Sequence, residues 1–186
     1  YDLKPSKGKK SAQYSYARHS NPNRDALERA LADLDNGAAA LAFGSGSAAI
    51  TGLLLAMPHA SDILMPEDYY MGTRRILWEV FAERLLWKSV DMRDIRKVRE
   101  QILPTTKLVW AETPSNPHLH LTDIAAVAEI AHSVGAALAV DATWPTPALT
   151  RPLEFGADVV VHSASKYMGG HSDVTLGALV FRETGE

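Results

Sequence analysis

Ser163, Ser165 and Lys166 stand directly behind the run Val159-Val160-Val161-His162. Two hydroxyls beside one amine suit a phosphorylated aldehyde. The hydroxyls hydrogen-bond the phosphate, and the amine condenses with the carbonyl carbon into a Schiff base. The valine run has the unbroken β-branched character of a strand buried on both faces. Ligands of open α/β sheets bind beyond the carboxyl ends of such strands. A Ser-x-Ser-Lys turn alone is more often a solvated loop, so its weight depends on what else reaches the same rim.

Other stretches supply partners. A strand over 107–111 runs into Glu112-Thr113-Pro114-Ser115-Asn116-Pro117, and one over 136–140 runs into Asp141. Gly44-Ser45-Gly46-Ser47 follows a short strand and opens a helix, which leaves bare backbone N–H groups as an anion site. A tight turn using glycine for its backbone angles explains those residues nearly as well. Tyr70 offers an aromatic face. Tyr16 and Arg18 lie two apart, so in an extended segment they face the same way and can grip a phosphate, although taken alone such a segment is more often a solvated arm. Together these parts match the needs of pyridoxal 5'-phosphate. Those are a lysine for the aldehyde, a carboxylate for the pyridine nitrogen, a stacking ring, and amides with hydroxyls for the phosphate.

The elements that must position these groups alternate. Asn23 caps a helix over 24–35 with Ala26, Leu27, Ala30, Leu31 and Leu34 as its apolar stripe and Gly37 as its stop. Strands are read over 41–43, 62–65, 85–90, 107–111, 136–140, 158–161 and 176–181. Helices are read over 48–57, behind 67–73, over 91–103 up to Pro104, and from Thr122 or Asp123 to 134, closed by Gly135. This alternation predicts an α/β fold, a mostly parallel sheet with helices on both faces. Residues 1–13 are lysine-rich and read as an extended arm without a core of its own.

Composition narrows the function classes. The chain has 186 residues, 46% hydrophobic and 22% charged, enough for one domain with a substantial core. A net charge of −3 gives no reason to expect nucleic-acid or anionic-membrane binding. Cysteine is absent, which removes disulfides and thiolate metal sites and fits a reducing compartment, so the expected location is cytoplasmic. No apolar run reaches membrane-spanning length and no signal peptide is recognisable. His118-Leu119-His120 with Asp123 lacks a third placed ligand and is set aside as a metal site.

Six stretches, in one order from Tyr14 onward, resemble the Cys/Met-metabolism pyridoxal-phosphate enzymes, the cystathionine synthase and lyase group. They are Tyr16-Ala17-Arg18-His19-Ser20-Asn21-Pro22, Gly44-Ser45-Gly46-Ser47-Ala48-Ala49, Tyr70-Met71-Gly72-Thr73, Glu112-Thr113-Pro114-Ser115-Asn116-Pro117, Asp141-Ala142-Thr143-Trp144 and His162-Ser163-Ala164-Ser165-Lys166-Tyr167-Met168-Gly169-Gly170-His171-Ser172-Asp173. The resemblance implies the large cofactor domain of the aminotransferase-like fold type I. It implies Lys166 as the Schiff-base lysine, Asp141 as the pyridinium partner and Tyr70 as the stacking ring that handles a proton. Gly46 and Ser47 match the phosphate turn, with Ser163 and Ser165 as hydroxyl partners, and Asn116 and Thr143 fall beside the cofactor. Tyr16 and Arg18 match residues that reach the neighbouring subunit's phosphate, which implies a homodimer or homotetramer with an arm over 1–23 and a cofactor domain over 24–186.

The implied reaction is β- or γ-elimination, or γ-replacement, on a small sulfur amino acid of cystathionine or homoserine-ester type. Ala142 stands where Asn is usual, Asn23 for Thr and Ser47 for Met, and 173–177 lacks the usual paired glycines. Gly72 occupies the place of the methionine γ-lyase cysteine, and Trp144 leans towards β-lyases. The family's smaller carboxyl-terminal domain, with its arginine clamp for the substrate carboxylate, is not in this chain, which fits a fragment. Two alternatives compete. A nicotinamide-dependent oxidoreductase would use Gly44-Ser45-Gly46-Ser47-Ala48-Ala49 as G-x-G-x-x-A with Glu67 as the ribose acid. A catalytically incomplete piece of the same enzyme would fold without turnover.

Overall fold

The computed structural model describes residue 14 and residues 16–183, so the arm expected over 1–13 lies outside the described residues. Helix α1 (Pro22–Asp35) leads into strand β1 (Ala39–Phe43) and helix α2 (Gly46–Ala56). Strands and helices then alternate through β2 (Asp62–Pro66), α3 (Met71–Val80), β3 (Leu86–Val90), α4 (Ile95–Gln101), β4 (Thr106–Glu112), α5 (Ile124–Ser133) and β5 (Ala137–Asp141). A short helix α6 (Thr146–Leu149) and a 3-10 turn (Pro152–Phe155) precede β6 (Val159–His162) and β7 (Gly177–Phe181).

The strands form one sheet in the order β1-β7-β6-β5-β4-β2-β3. Strands β2 to β6 pair in parallel, while β7 runs antiparallel to both β6 and β1. Two reversals return β1 to the common direction. The carboxyl ends of β1, β2, β4, β5 and β6 therefore open on one rim, as a mostly parallel sheet requires.

Both faces are covered. Leu31 and Ala32 of α1 and Val127, Ile130 and Ala131 of α5 pack with Leu138, Val140, Val160 and Val180 on one side. Ile50 and Leu54 of α2 and Leu77 of α3 pack with Met65, Trp110, Val161 and Leu179 on the other. This two-sided burial is why the central strands read as unbroken apolar runs; Val160 and Val161 are both fully buried. Among the described residues no helix is long and apolar enough to cross a membrane.

Several boundaries differ from the sequence reading, each for a local reason. Asn21, not Asn23, caps α1: its Oδ1 accepts the Asn23 N–H at 2.9 Å, and Pro22 takes the first helical position, where a missing N–H costs nothing. The expected apolar stripe of α1 rotates, so Leu31, Ala32 and Asp35 are buried while Leu34 is 49% exposed. Helix α4 is shorter than 91–103 because Asp91 accepts the Arg93 N–H at 3.1 Å in a local turn and Asp94 caps the helix instead. Residues 17–19 form a turn, with the Tyr16 carbonyl accepting from His19 and Ser20 N–H groups, where an extended segment was expected.

Candidate active site

The sheet delivers two carboxylates to the rim. Glu112 ends β4, Asp141 ends β5, and the two are register partners. Side chains alternate along a strand, so Glu112 shares the face of Trp110, and Asp141 that of Ala139, both on the α2/α3 side. Glu112 is 4% exposed and Asp141 7%. Burial pushes Asp141 above the usual carboxylate range, against the opposing hydrogen bonds from Thr143 and the field of His162. Burial and then the nearby Asp141 charge push Glu112 up to about 8, against hydrogen bonds from the Tyr70 and Asn116 backbones.

A short chain of contacts runs from Asp141 to the glycine turn. The Thr143 N–H donates to Asp141 Oδ1 at 3.0 Å, and the Ser163 N–H donates to Thr143 Oγ1 at 2.8 Å. A Cβ on Gly46 would stand 2.7 Å from Ser163 Cβ, so only glycine lets α2 begin this close to the end of β6. Ser45 caps α2 by accepting the Ala48 N–H at 3.1 Å. The first N–H groups of α2, at Gly46 and Ser47, keep the unpaired character of a helix start beside the Ser163 hydroxyl.

The lysine turn is held by its own backbone. The Lys166 N–H donates to the Ser163 carbonyl at 2.9 Å, and the Gly169 N–H to that of Ala164 at 2.8 Å. Ser165 Oγ accepts the Leu176 N–H at 2.8 Å and donates to the Leu176 carbonyl at 3.1 Å, fastening the turn to the approach of β7. Lys166 is exposed, and among the described residues its amine has no hydrogen-bond or ion-pair partner. The Trp144 and Tyr167 rings meet at 5.6 Å, joining the loops after β5 and β6.

Tyr70 and Asn116 approach from the β2 and β4 loops. The Tyr70 N–H donates to Glu112 Oε2 at 2.8 Å while its ring stays 43% exposed. The Asn116 loop is clamped by Asp68, which accepts from the Ser115 hydroxyl and from the His118 N–H at 3.2 Å, with His118 Nδ1 at 2.9 Å. Burial pushes the Asp68 carboxyl up, but the Ser115 and His118 donors outweigh it and hold it below its ordinary value. His118 and His120 thus turn towards Asp68, while Asp123 caps α5 through the Ala126 N–H. The Asp68 clamp was not legible in the sequence, because its members lie 47 to 50 residues apart.

Tyr16 and Arg18 do not join this group. The Arg18 guanidinium lies 5.0 Å from the Tyr16 ring centroid, and its carbonyl accepts from Arg24. The glycine turn follows β1, an edge strand paired antiparallel to β7. A dinucleotide fold instead hangs its turn from a strand inside a parallel sheet, so the nicotinamide reading loses its structural premise.

The donor set fits pyridoxal phosphate. It has an anion cradle that a Cβ would fill, a buried carboxylate that a cation beside it would return to its ionised form, and an unpartnered amine. A family model described as Cys/Met metabolism PLP-dependent enzyme matches residues 1–186. The chain is 47% identical over 169 residues to a cystathionine gamma-synthase of Mycobacterium tuberculosis, covering 90% of this chain and 44% of that protein. It is 43% identical over 171 residues to a cystathionine beta-lyase of Staphylococcus haemolyticus, covering 91% and 44%. The crystal structure of a cystathionine gamma-lyase from Lactobacillus plantarum complexed with L-serine superposes with a TM-score of 0.92 at 41% identity, over 97% of this chain and 47% of that one. The chain spans less than half the length of these relatives.

Proposed function

Because the chain belongs to the Cys/Met-metabolism PLP-dependent enzymes, we propose that it forms the cofactor-binding part of an enzyme acting on sulfur amino acids of cystathionine or homoserine-ester type, by β- or γ-elimination or γ-replacement. The observation that carries this reading is the contact chain from buried Asp141 through Thr143 and Ser163 to Gly46, beside the free amine of Lys166. When bound, pyridoxal phosphate supplies an electron sink for a carbanion on the substrate's α-carbon.

The chain's own residues divide the remaining work. The Lys166 amine anchors the aldehyde covalently and, once displaced by substrate, moves the α-proton at its Nζ. The Asp141 carboxylate would pair with the cofactor's pyridine nitrogen and hold a proton there, an ion pair favoured by a buried site. The N–H groups of Gly46 and Ser47 and the Ser163 hydroxyl bind the phosphate. Ser165 joins them by turning its hydroxyl away from the Leu176 carbonyl. The exposed Tyr70 ring would stack on the cofactor and exchange a proton during elimination, and Asn116 and Thr143 would help to orient it. Tyr16 and Arg18 serve the neighbouring subunit's phosphate in a homodimer or homotetramer.

The test is reductive trapping. Protein mixed with pyridoxal phosphate, reduced with borohydride and digested is expected to carry a pyridoxyl group on the Lys166 peptide. Lys166→Ala is expected to lose both the adduct and turnover of sulfur amino acids. An adduct on another lysine, or normal turnover by the variant, overturns the assignment.

A further inference from the structure

We propose that Glu112 is a positioning residue that carries the shared proton of a carboxyl pair with Asp141 and, through its second oxygen, fixes Tyr70; the proposal rests on the cofactor reading above. The geometry begins with register. Glu112 and Asp141 are partners on neighbouring parallel strands, on the same face, at a strand spacing of about 4.8 Å. Both are buried, at 4% and 7% exposure. Two carboxyls so placed do not both ionise at neutral pH, because each charge lacks water and repels the other.

Both carboxyls accept backbone N–H groups, Glu112 from Tyr70 and Asn116 and Asp141 from Thr143, so the charges around them decide which keeps the proton. Asp141 receives the Thr143 N–H at 3.0 Å and is favoured further by the Thr143 side chain and His162. Glu112 lies behind it, lining a cavity of about 220 Å3 with Glu67, Asp68, Asp91, Arg93, His118 and His120. The only cation facing Glu112 in that set, Arg93, is already bound to Asp91 at 2.8 Å, and the nearby Asp68 charge opposes ionisation of Glu112. The charge therefore settles on Asp141, where the pyridine nitrogen needs it, and Glu112 stays neutral. A neutral carboxyl still accepts: Glu112 Oε2 takes the Tyr70 N–H at 2.8 Å, at the residue that opens α3. One side chain thus sets the charge on Asp141 and the place of the Tyr70 backbone.

The sign of the pH effect follows. Glu112 titrates at about 8 in the folded state, and at about 4.3 when unfolded. Between those values the folded state holds more protons, so the stability Glu112 contributes is complete below the lower value and is lost as pH rises through the upper one. The experiment compares the full-length wild type with Glu112→Gln and Glu112→Ala, each with and without pyridoxal phosphate. It reads unfolding against pH from 5 to 8.5 and the affinity for the cofactor. Without cofactor, Glu112→Gln is expected to remove from the stability profile a slope of about one proton. Its amide oxygen still accepts from Tyr70, so cofactor affinity is retained, whereas Glu112→Ala is expected to weaken it about tenfold through loss of that hydrogen bond.

A Glu112→Gln profile parallel to wild type, or Glu112→Ala binding as tightly as wild type, overturns the proposal. If Glu112→Ala does not fold, the Glu112→Gln slope decides alone. Wild type that takes up no pyridoxal phosphate overturns the cofactor reading instead, and the slope on the unloaded protein still tests the carboxyl pair.

Discussion

At the scale of single residues, the rim is governed by close approach and by buried charge. Gly46 is the tightest point, because any side chain there meets Ser163 at 2.7 Å. Overpacking of this kind costs about 1 to 3 kcal/mol, which in binding is about a 5- to 150-fold loss. Gly46→Ala is therefore expected to weaken pyridoxal phosphate binding by that factor, measured by titrating the cofactor's absorbance. Unchanged affinity would separate the turn from the phosphate. Asp141 and Glu112 show the other control. The motif around each was visible in the sequence, but their pairing depends on β4 and β5 lying side by side in register. No local pattern marks Asp68 for the same reason, since its partners Ser115 and His118 come from a loop far along the chain.

At the scale of elements, α1 is pinned beneath the site by a buried hydrogen bond between Asp35 and His162. Asp35, its last residue, sits 2.7 Å from His162 Nε2, and both side chains are fully buried. His162 ends β6 immediately before Ser163, so the pair also fixes where the lysine turn begins. Removing one partner leaves the other polar group buried and unsatisfied, which typically costs about 1 to 3 kcal/mol. His162→Ala is expected to lower the unfolding free energy by that amount in urea denaturation, and Asp35→Ala by a similar amount. A loss below about 1 kcal/mol, the worth of an exposed pair, would mean that the contact is not held in solution. The strand and helix order was legible because apolar runs, caps and glycine stops are local signals. The 3-10 turn Pro152–Phe155 and the four-residue α6 were not, because elements this short complete no hydrophobic period.

At the scale of the whole molecule, the role proposed for Tyr16 and Arg18 can be tested through the assembly. Arg18 lies against the start of α1 and the Tyr16 ring. If they complete a neighbour's phosphate site, two different defects complement each other. Full-length protein carrying Arg18→Ala, mixed and refolded with protein carrying Lys166→Ala, is expected to regain about a quarter of wild-type turnover. That is the share of sites that combine an intact lysine with an intact arginine in randomly paired dimers of symmetric closure. No recovery from the mixture, with each partner folded, would place Arg18 outside the neighbouring site.

The sequence by itself determined the α/β class, the cofactor family and the run of Ser163, Ser165 and Lys166 behind a buried strand. Those features are written in contiguous residues, where spacing alone carries the chemistry. Tertiary structure decided what depends on distance across the sheet. It set Glu112 beside Asp141, brought the glycine turn onto Ser163, hung that turn from an edge strand and fastened Asp68 to the Asn116 loop. Strand order and register are chosen by how both faces are buried and not by any single segment, so no local pattern encodes them.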